Sequence, residues 1–141
     1  MKRFIACAAC LVLLPAIAVA KDAPKVTTQI IKNTDKTVTG QQIVSPEHPN
    51  VVVTMATFAP GARLPVHKHL YPHYGYVISG VLSVTNEETH KSFDLKPGEF
   101  LVEMNNTWHY GQNKGAVPVK LLVIDHLPKG VTSNVVLKDA K

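Results

Sequence analysis

Three histidines lie close together near the middle of the chain. His67 and His69 are separated by one residue, and His73 follows four residues after His69. Side chains of an extended strand alternate between its two faces, so His67 and His69 are predicted to project to the same side. Pro72 and Gly75 flank His73, which predicts a bend and a second strand that returns beside the first. Three imidazoles that meet on one face can bind a first-row transition metal ion.

A fourth histidine, His109, lies far along the chain, where another predicted strand begins. Non-local strand pairing would bring it beside the first three. The hypothesis is one divalent metal ion held by His67, His69, His73 and His109. By ligand type, imidazoles suit Zn, Cu, Fe or Ni, so the residues alone do not choose the metal.

The rest of the chain contains short runs rich in Val, Ile, Thr and aromatic residues, separated by Pro, Gly and Asn. No segment of helical length has apolar residues at 3.6-residue spacing, so an all-β sandwich or barrel is predicted. It forms one domain over residues 21–141, with its core over about 26–138. The predicted strands are Val26–Ile31, Gln42–Val44, Val51–Ala59, Val66–His69, His73–Thr85, Lys91–Asp94, Phe100–Met104, His109–Gln112, Val119–His126 and Asn134–Lys138.

The N-terminal segment Met1–Ala20 has the pattern of a secretory signal peptide. Lys2 and Arg3 precede an apolar run, and small residues end it, which predicts cleavage after Ala20. The mature protein is therefore predicted to be periplasmic or secreted and free of the membrane. Both cysteines of the chain, at positions 7 and 10, leave with this segment, so the mature domain has neither a disulfide nor a thiol ligand.

The mature chain carries 13 basic and 10 acidic residues, a net charge of +3. Its lysines are scattered, without a basic run or an aromatic platform, which argues against a nucleic acid partner. The expected partner is a small molecule.

Two stretches resemble the paired motifs of the cupin family. In the first, five residues separate Gly61 from the His67-x-His69 pair, position 73 follows after three, and Gly80 after six. The second stretch runs from Gly98 through positions 104, 106 and 109 to Asn113 with the family's spacing. The resemblance implies a double-stranded β-helix, or jelly-roll barrel. It also implies the four ligand positions, Mn or Fe as the commonest metals, and a homodimer.

The chain departs from the motifs in ways that affect its chemistry. The family usually has Glu where this chain has His73, and Met104 and Asn106 replace Pro and Gly. Asn tolerates the left-handed backbone that Gly supplies, so the turn at Asn106 is expected to survive. Four neutral histidines leave a charge of about +2 on a divalent ion, against about +1 with one Glu, which favours an anionic ligand.

Other residues are candidates for the surroundings of the metal. Tyr76, Met104 and Trp108 are predicted pocket walls. Glu103 could support a ligating imidazole, but alternation with its neighbours predicts that it faces outward. His126 ends a strand and is a candidate for the mouth of the barrel.

The predicted function is a metal-dependent, dioxygenase-like oxidoreductase that acts on a small molecule. The chain has no serine nucleophile elbow, phosphate-binding loop or dinucleotide fingerprint. Two alternatives remain open: a non-catalytic metal- or ligand-binding cupin, and a lyase or isomerase that uses the metal as a Lewis acid.

Overall fold

The computed structural model describes residues 25–139, and the regular elements within this range are all strands. No helix among these residues is long and apolar enough to cross a membrane. The strands are β1 (Asn50–Phe58), β2 (His67–His69), β3 (His73–Ser79), β4 (Leu82–Asn86), β5 (Ser92–Leu95), β6 (Phe100–Val102), β7 (His109–Gln112), β8 (Val119–Leu127) and β9 (Val135–Leu137).

The strands form two antiparallel sheets. The first has the order β1-β8-β3-β6, and the second has the order β5-β4-β7-β2-β9. From β1 to β4 the chain alternates between the sheets, as a double-stranded β-helix requires, which confirms the predicted jelly roll. The inner faces meet in an apolar core that includes Phe58, Val77, Leu82, Val84, Leu95, Leu101, Met104, Val119, Leu121 and Val123.

Two predicted strands near the N-terminus are wrong. Residues 26–31 have no regular structure, and Val26 and Ile30 are 92% and 79% exposed. This segment has the residue types of a strand but pairs with no strand of the described chain. Gln42–Val44 is reduced to a single bridge between Lys36 and Gln42. Strand propensity reports fitness for a sheet surface and does not supply the neighbouring strand.

The predicted segments Met1–Ala20 and the start of the mature chain up to residue 24 lie outside the described residues. Cleavage after Ala20 and export therefore stay predictions, as does the homodimer.

The outward side chains of the edge strand β1 are more than half exposed; they are Val51, Val53 and Met55.

The long predicted strand His73–Thr85 is divided by a turn at Gly80. Gly80 has a φ of +76°, a left-handed conformation that favours glycine. A Cβ there would lie 2.8 Å from both the carbonyl oxygen of Pro118 and the Cα of Val119. Glycine is thus required twice, by backbone conformation and by space, where β3 passes into the other sheet.

Replacing Gly80 with alanine should destabilise the barrel by about 2–4 kcal/mol, because backbone strain and a clash with backbone atoms add together. Gly98→Ala is the matched control. Gly98 has a φ of +87° but open space around a Cβ, so this variant should lose only about 1 kcal/mol from strain. Urea unfolding of both variants measures the difference, and equal losses would contradict the role of the close backbone approach.

Candidate metal centre

The second sheet positions three of the predicted histidines on its inner face. His67 and His69 lie on the same face of β2 and point into the barrel, while Lys68 between them faces the other way. His109 begins β7 and is the direct cross-strand partner of His67. The three imidazoles are nearly fully buried, with exposed fractions of 5%, 2% and 1%. The pairing predicted from the sequence therefore brings His109 beside the first two histidines.

Each of these imidazoles is held by a backbone carbonyl on its Nδ1 side. A carbonyl oxygen only accepts, so Nδ1 carries the proton and Nε2 keeps its lone pair. This is the orientation that a histidine ligand needs, with one nitrogen fixed and the other free for the ion. The contacts are His67 with Pro65 at 2.8 Å, His109 with Thr107 at 2.8 Å and His69 with Asn134 at 3.3 Å.

A carboxylate completes the group, and it comes from the residue that was predicted to face outward. Oε2 of Glu103 lies 2.8 Å from Nε2 of His109 and 3.2 Å from Nε2 of His69. One ligand atom from each of His67, His69, Glu103 and His109 lies within 4.8 Å of the others. The outward orientation predicted for Glu103 is wrong, because both faces of the strand are covered. Leu101 faces the core, and Val102, also buried, lies beside Gln42 and Ile43 of the N-terminal segment.

The donor set fits a divalent metal ion. The distances from Glu103 to the two Nε2 atoms are those of hydrogen bonds, yet neither Nε2 has a hydrogen-bond partner. In the tautomer set by the carbonyls, two lone pairs face a carboxylate oxygen, which is repulsive unless a cation lies between them. Three imidazole nitrogens and one carboxylate oxygen suit Zn, Fe, Mn or Cu, and the group contains no thiolate.

His73 lies at the same wall but outside this group of ligand atoms. Its Nδ1 is 2.7 Å from Oδ1 of Asp125 on β8. Its ring stacks on that of His69, with centroids 3.8 Å apart and planes inclined by 4°. Imidazole binds a metal along a lone pair in the ring plane, and one ion cannot lie in two parallel, stacked planes. The arrangement therefore does not support the prediction that His73 and His69 ligate the same ion.

A cavity of about 270 Å³ opens beside the group. Its polar wall contains His67, His69, His73, Glu103 and Asp125. Most of the remaining wall is apolar, including Val52, Phe58, Leu64, Leu121, Val123 and Leu127.

The predicted pocket residues Tyr76, Met104 and Trp108 do not line this cavity. Met104 is fully buried in the core. Tyr76 alternates with Gly75 and Val77 and so faces the outer side of the first sheet, and Trp108 alternates with His109 in the same way.

His126 is also excluded from the site. Its neighbour Asp125 points into the cavity, so alternation sends His126 outward. There its Nδ1 lies 3.1 Å from Ser45 Oγ, and its ring packs edge-on against Tyr74.

Asn106 has a φ of 47°, which confirms the left-handed turn predicted at that position.

Burial and the Glu103 charge pull the pKa values of the histidines in opposite directions. Burial lowers the pKa of His67 to about 4 and also lowers that of His69. Burial acts likewise on His109, but its contact with Glu103 prevails and raises its pKa. Burial favours neutral Glu103, but the nearby imidazoles hold its pKa well below the usual range. The carboxylate is therefore ionised and balanced by a proton on the imidazole side, which a metal ion would replace.

A family model described as the cupin domain matches residues 54–125, just over half of the chain. The chain belongs to the cupin family. The matched residues include strands from both sheets and contain the three ligand-like histidines, Glu103 and Asp125.

The individual proteins that resemble this cupin have low sequence identity to it. It is 33% identical over 85 residues to auxin-binding protein 1 of Arabidopsis thaliana, across 55% of this chain and 43% of that protein. The chain thus spans less than half the length of this curated relative. The polyketide cyclase RemF of Streptomyces resistomycificus is 21% identical, with a TM-score of 0.52 over 63% of each chain. A double-stranded β-helix protein of Klebsiella pneumoniae is 16% identical, with a TM-score of 0.54 over 77% of this chain and 90% of that one. These two structures establish the fold alone.

Replacing Glu103 with glutamine should weaken metal binding by roughly 100-fold or more. Loss of a group that only supports a ligand commonly costs 10- to 100-fold in metal affinity, and loss of a ligand itself should cost at least as much. Glu88→Gln, on the exposed β4–β5 turn, is the charge-matched control and should bind normally. Competition with a chromophoric zinc chelator measures both affinities. Equal affinity for the two variants would show that Glu103 is not a ligand.

Zinc affinity should fall as the pH is lowered, beginning above the ordinary imidazole pKa of 6.5. The pKa of His109 is raised, so its proton competes with the metal already at a pH above 6.5. In Glu103→Gln the support for that proton is lost, and the fall in affinity should move to lower pH. Chelator competition between about pH 8.5 and about pH 5.5 tests this, and an unshifted profile in the variant would contradict it.

Proposed function

We propose that this cupin is a metal-dependent oxidoreductase that admits a small molecule to the barrel cavity and uses oxygen as co-substrate. One observation carries the proposal: His67, His69 and Glu103 form part of the cavity wall, so a molecule in the cavity lies beside the candidate ligand atoms. A purely structural metal site is closed by its ligands, whereas a catalytic site keeps access for substrate.

Different groups would bind the ion, fix the orientation of its ligands and limit the access of water, as a reactive site requires. His67, His69, His109 and Glu103 would hold the ion, which when bound supplies a Lewis-acidic centre for substrate or oxygen. Histidine and carboxylate ligands with open positions are typical of non-haem metal oxygenases. The carbonyl contacts at Nδ1 fix the ring orientations in advance. The apolar walls of the cavity would limit the access of water.

The ligand set also predicts the character of the substrate. As a ligand, Glu103 would reduce the charge of a bound divalent ion to about +1, against about +2 for a set of four histidines. The remaining positive charge favours an oxygen-rich head group. Apolar residues such as Val52, Leu121 and Leu127 face the rest of the molecule. The substrate class is therefore a small molecule with one polar, oxygen-bearing end and an apolar body.

A second candidate function is ligand binding without turnover. The relative at 33% identity is named as an auxin-binding protein, and a cavity with apolar walls beside a metal centre fits such a role. A lyase or isomerase reaction with the same ligands is the third reading, and it differs from the first in needing no oxygen.

The test combines metal analysis with an oxygen electrode. The native protein should bind about one equivalent of Fe(II) or Mn(II) and consume oxygen with a member of a panel of small acids, diketones and phenols. His109→Ala should lose both properties, and His90→Ala, on an exposed turn, should keep them.

Each other outcome names a different function. Turnover without oxygen uptake would identify a lyase or isomerase, and tight binding without turnover would identify a binding protein. A native protein that binds none of the metals tested would refute the metal-dependent function altogether.

A further inference from the structure

His73 occupies the middle of a polar row across the inner face of the first sheet. It pairs with Asp125 on β8, and on its other side the backbone N–H of Glu103 donates to the carbonyl of His73. The three side chains all line the cavity. The row therefore places one imidazole between two carboxylates, at the wall that also carries the candidate ligands.

Asp125 fixes the orientation of the His73 ring. Oδ1 of the carboxylate accepts a hydrogen bond from Nδ1–H of His73 at 2.7 Å, and Nδ2 of Asn134 donates to the same oxygen at 2.8 Å. Asn134 is itself fixed, because its side chain donates to the carbonyl of Tyr71 and accepts from the N–H groups of Leu70 and Tyr71. The ring is thus anchored through two further side chains to the turn that precedes β3.

The anchoring leaves Nε2 of His73 as the ring atom without a role. Among residues 25–139 it has no hydrogen-bond partner and does not belong to the group of ligand atoms. The side chain of His73 also retains more exposure, 12%, than those of His69 and His109, at 2% and 1%. The ring stacked on His69 carries this nitrogen at the wall of the cavity, close to the ligand group.

We propose that His73 binds a hydroxyl group of the substrate through a hydrogen bond at Nε2, while Asp125 acts as the positioning residue. This inference rests on the proposed function and narrows its substrate class to hydroxylated molecules. The oxygen-bearing end lies toward the ligand group, an adjacent hydroxyl forms a hydrogen bond with His73, and the apolar body contacts residues such as Val52 and Leu127. With Nδ1–H held by Asp125, Nε2 of the neutral ring accepts from the hydroxyl. Burial lowers the pKa of His73, but Glu103 and Asp125 prevail and raise it, and Nε2 of the protonated ring would donate to the hydroxyl oxygen. In both forms the ring distinguishes a hydroxyl group from a hydrogen atom.

The first experiment is nitrogen-15 NMR of the histidine rings in zinc-loaded protein, which needs no substrate. His67, His69 and His109 should show zinc-bound Nε2, and His73 should show a protonated Nδ1 with an unligated Nε2. Zinc-bound Nε2 at His73 would overturn the inference while leaving the metal centre intact. Absence of any zinc-bound histidine would instead refute the proposed function.

The second experiment compares mandelate with phenylacetate, two acids that differ by one hydroxyl group, by calorimetry on the zinc-loaded protein. The native protein should prefer mandelate by about five- to tenfold, the effect of one hydrogen bond. The preference should vanish in His73→Phe, remain in part in His73→Gln, which keeps an acceptor, and decrease in Asp125→Asn. Zinc content should stay near one equivalent in all of them.

The outcomes of this comparison separate a ligand-binding role from a structural one. A mere structural role for His73 would lower stability without changing the ratio of the two affinities. Equal affinity of the native protein for both acids, or no binding of either, would overturn the hydroxyl-binding role.

Discussion

The buried carboxylate of Glu103 is the constraint on which the site depends. Burial of an isolated charge costs far more than a small domain can supply, so the charge must be compensated within a few ångströms. The nearest groups are Nε2 of His109 and Nε2 of His69, at 2.8 and 3.2 Å. Because backbone carbonyls hold the protons on Nδ1, the compensating cation has to be added, as a proton or as a metal ion. Affinity for a cation is thereby built into the folded chain.

The two sheets contribute complementary parts of this arrangement. The second sheet supplies the three imidazoles, on β2 and β7, and the first supplies the acidic side chains, on or beside β6 and β8. Asn134 connects them, since its backbone carbonyl contacts His69 and its side chain contacts Asp125. The distance between the sheets therefore sets the distance between carboxylate and imidazole, so the packing of the apolar core controls the geometry of the polar site.

Local patterns predicted the strands near the site and three of its residues well. Strand alternation placed His67 and His69 on one face, and the spacing of the second motif placed His109 at the start of a strand that could pair beside them. The position of Glu103 was mispredicted because Leu101 and Val102, on opposite faces of β6, are both buried, so hydrophobicity at Val102 did not mark the inner face. Alternation from Leu101 would have placed Glu103 correctly, and alternation from His73 and His109 would have excluded Tyr76 and Trp108. What the chain does not reveal locally is the register between β3, β6 and β8.

That register gives a physical reason for the departure from the family pattern at position 73. A glutamate there would lie directly beside Asp125 on one neighbouring strand and Glu103 on the other, three carboxylates in one buried row. Adjacent like charges are destabilising, and at least one of them would have to be protonated. With His73 in the middle, each carboxylate has an imidazole neighbour, and the carboxylate available to a metal comes from the β6 side of the row. A histidine at position 73 is therefore the residue type that the two flanking carboxylates, Glu103 and Asp125, favour.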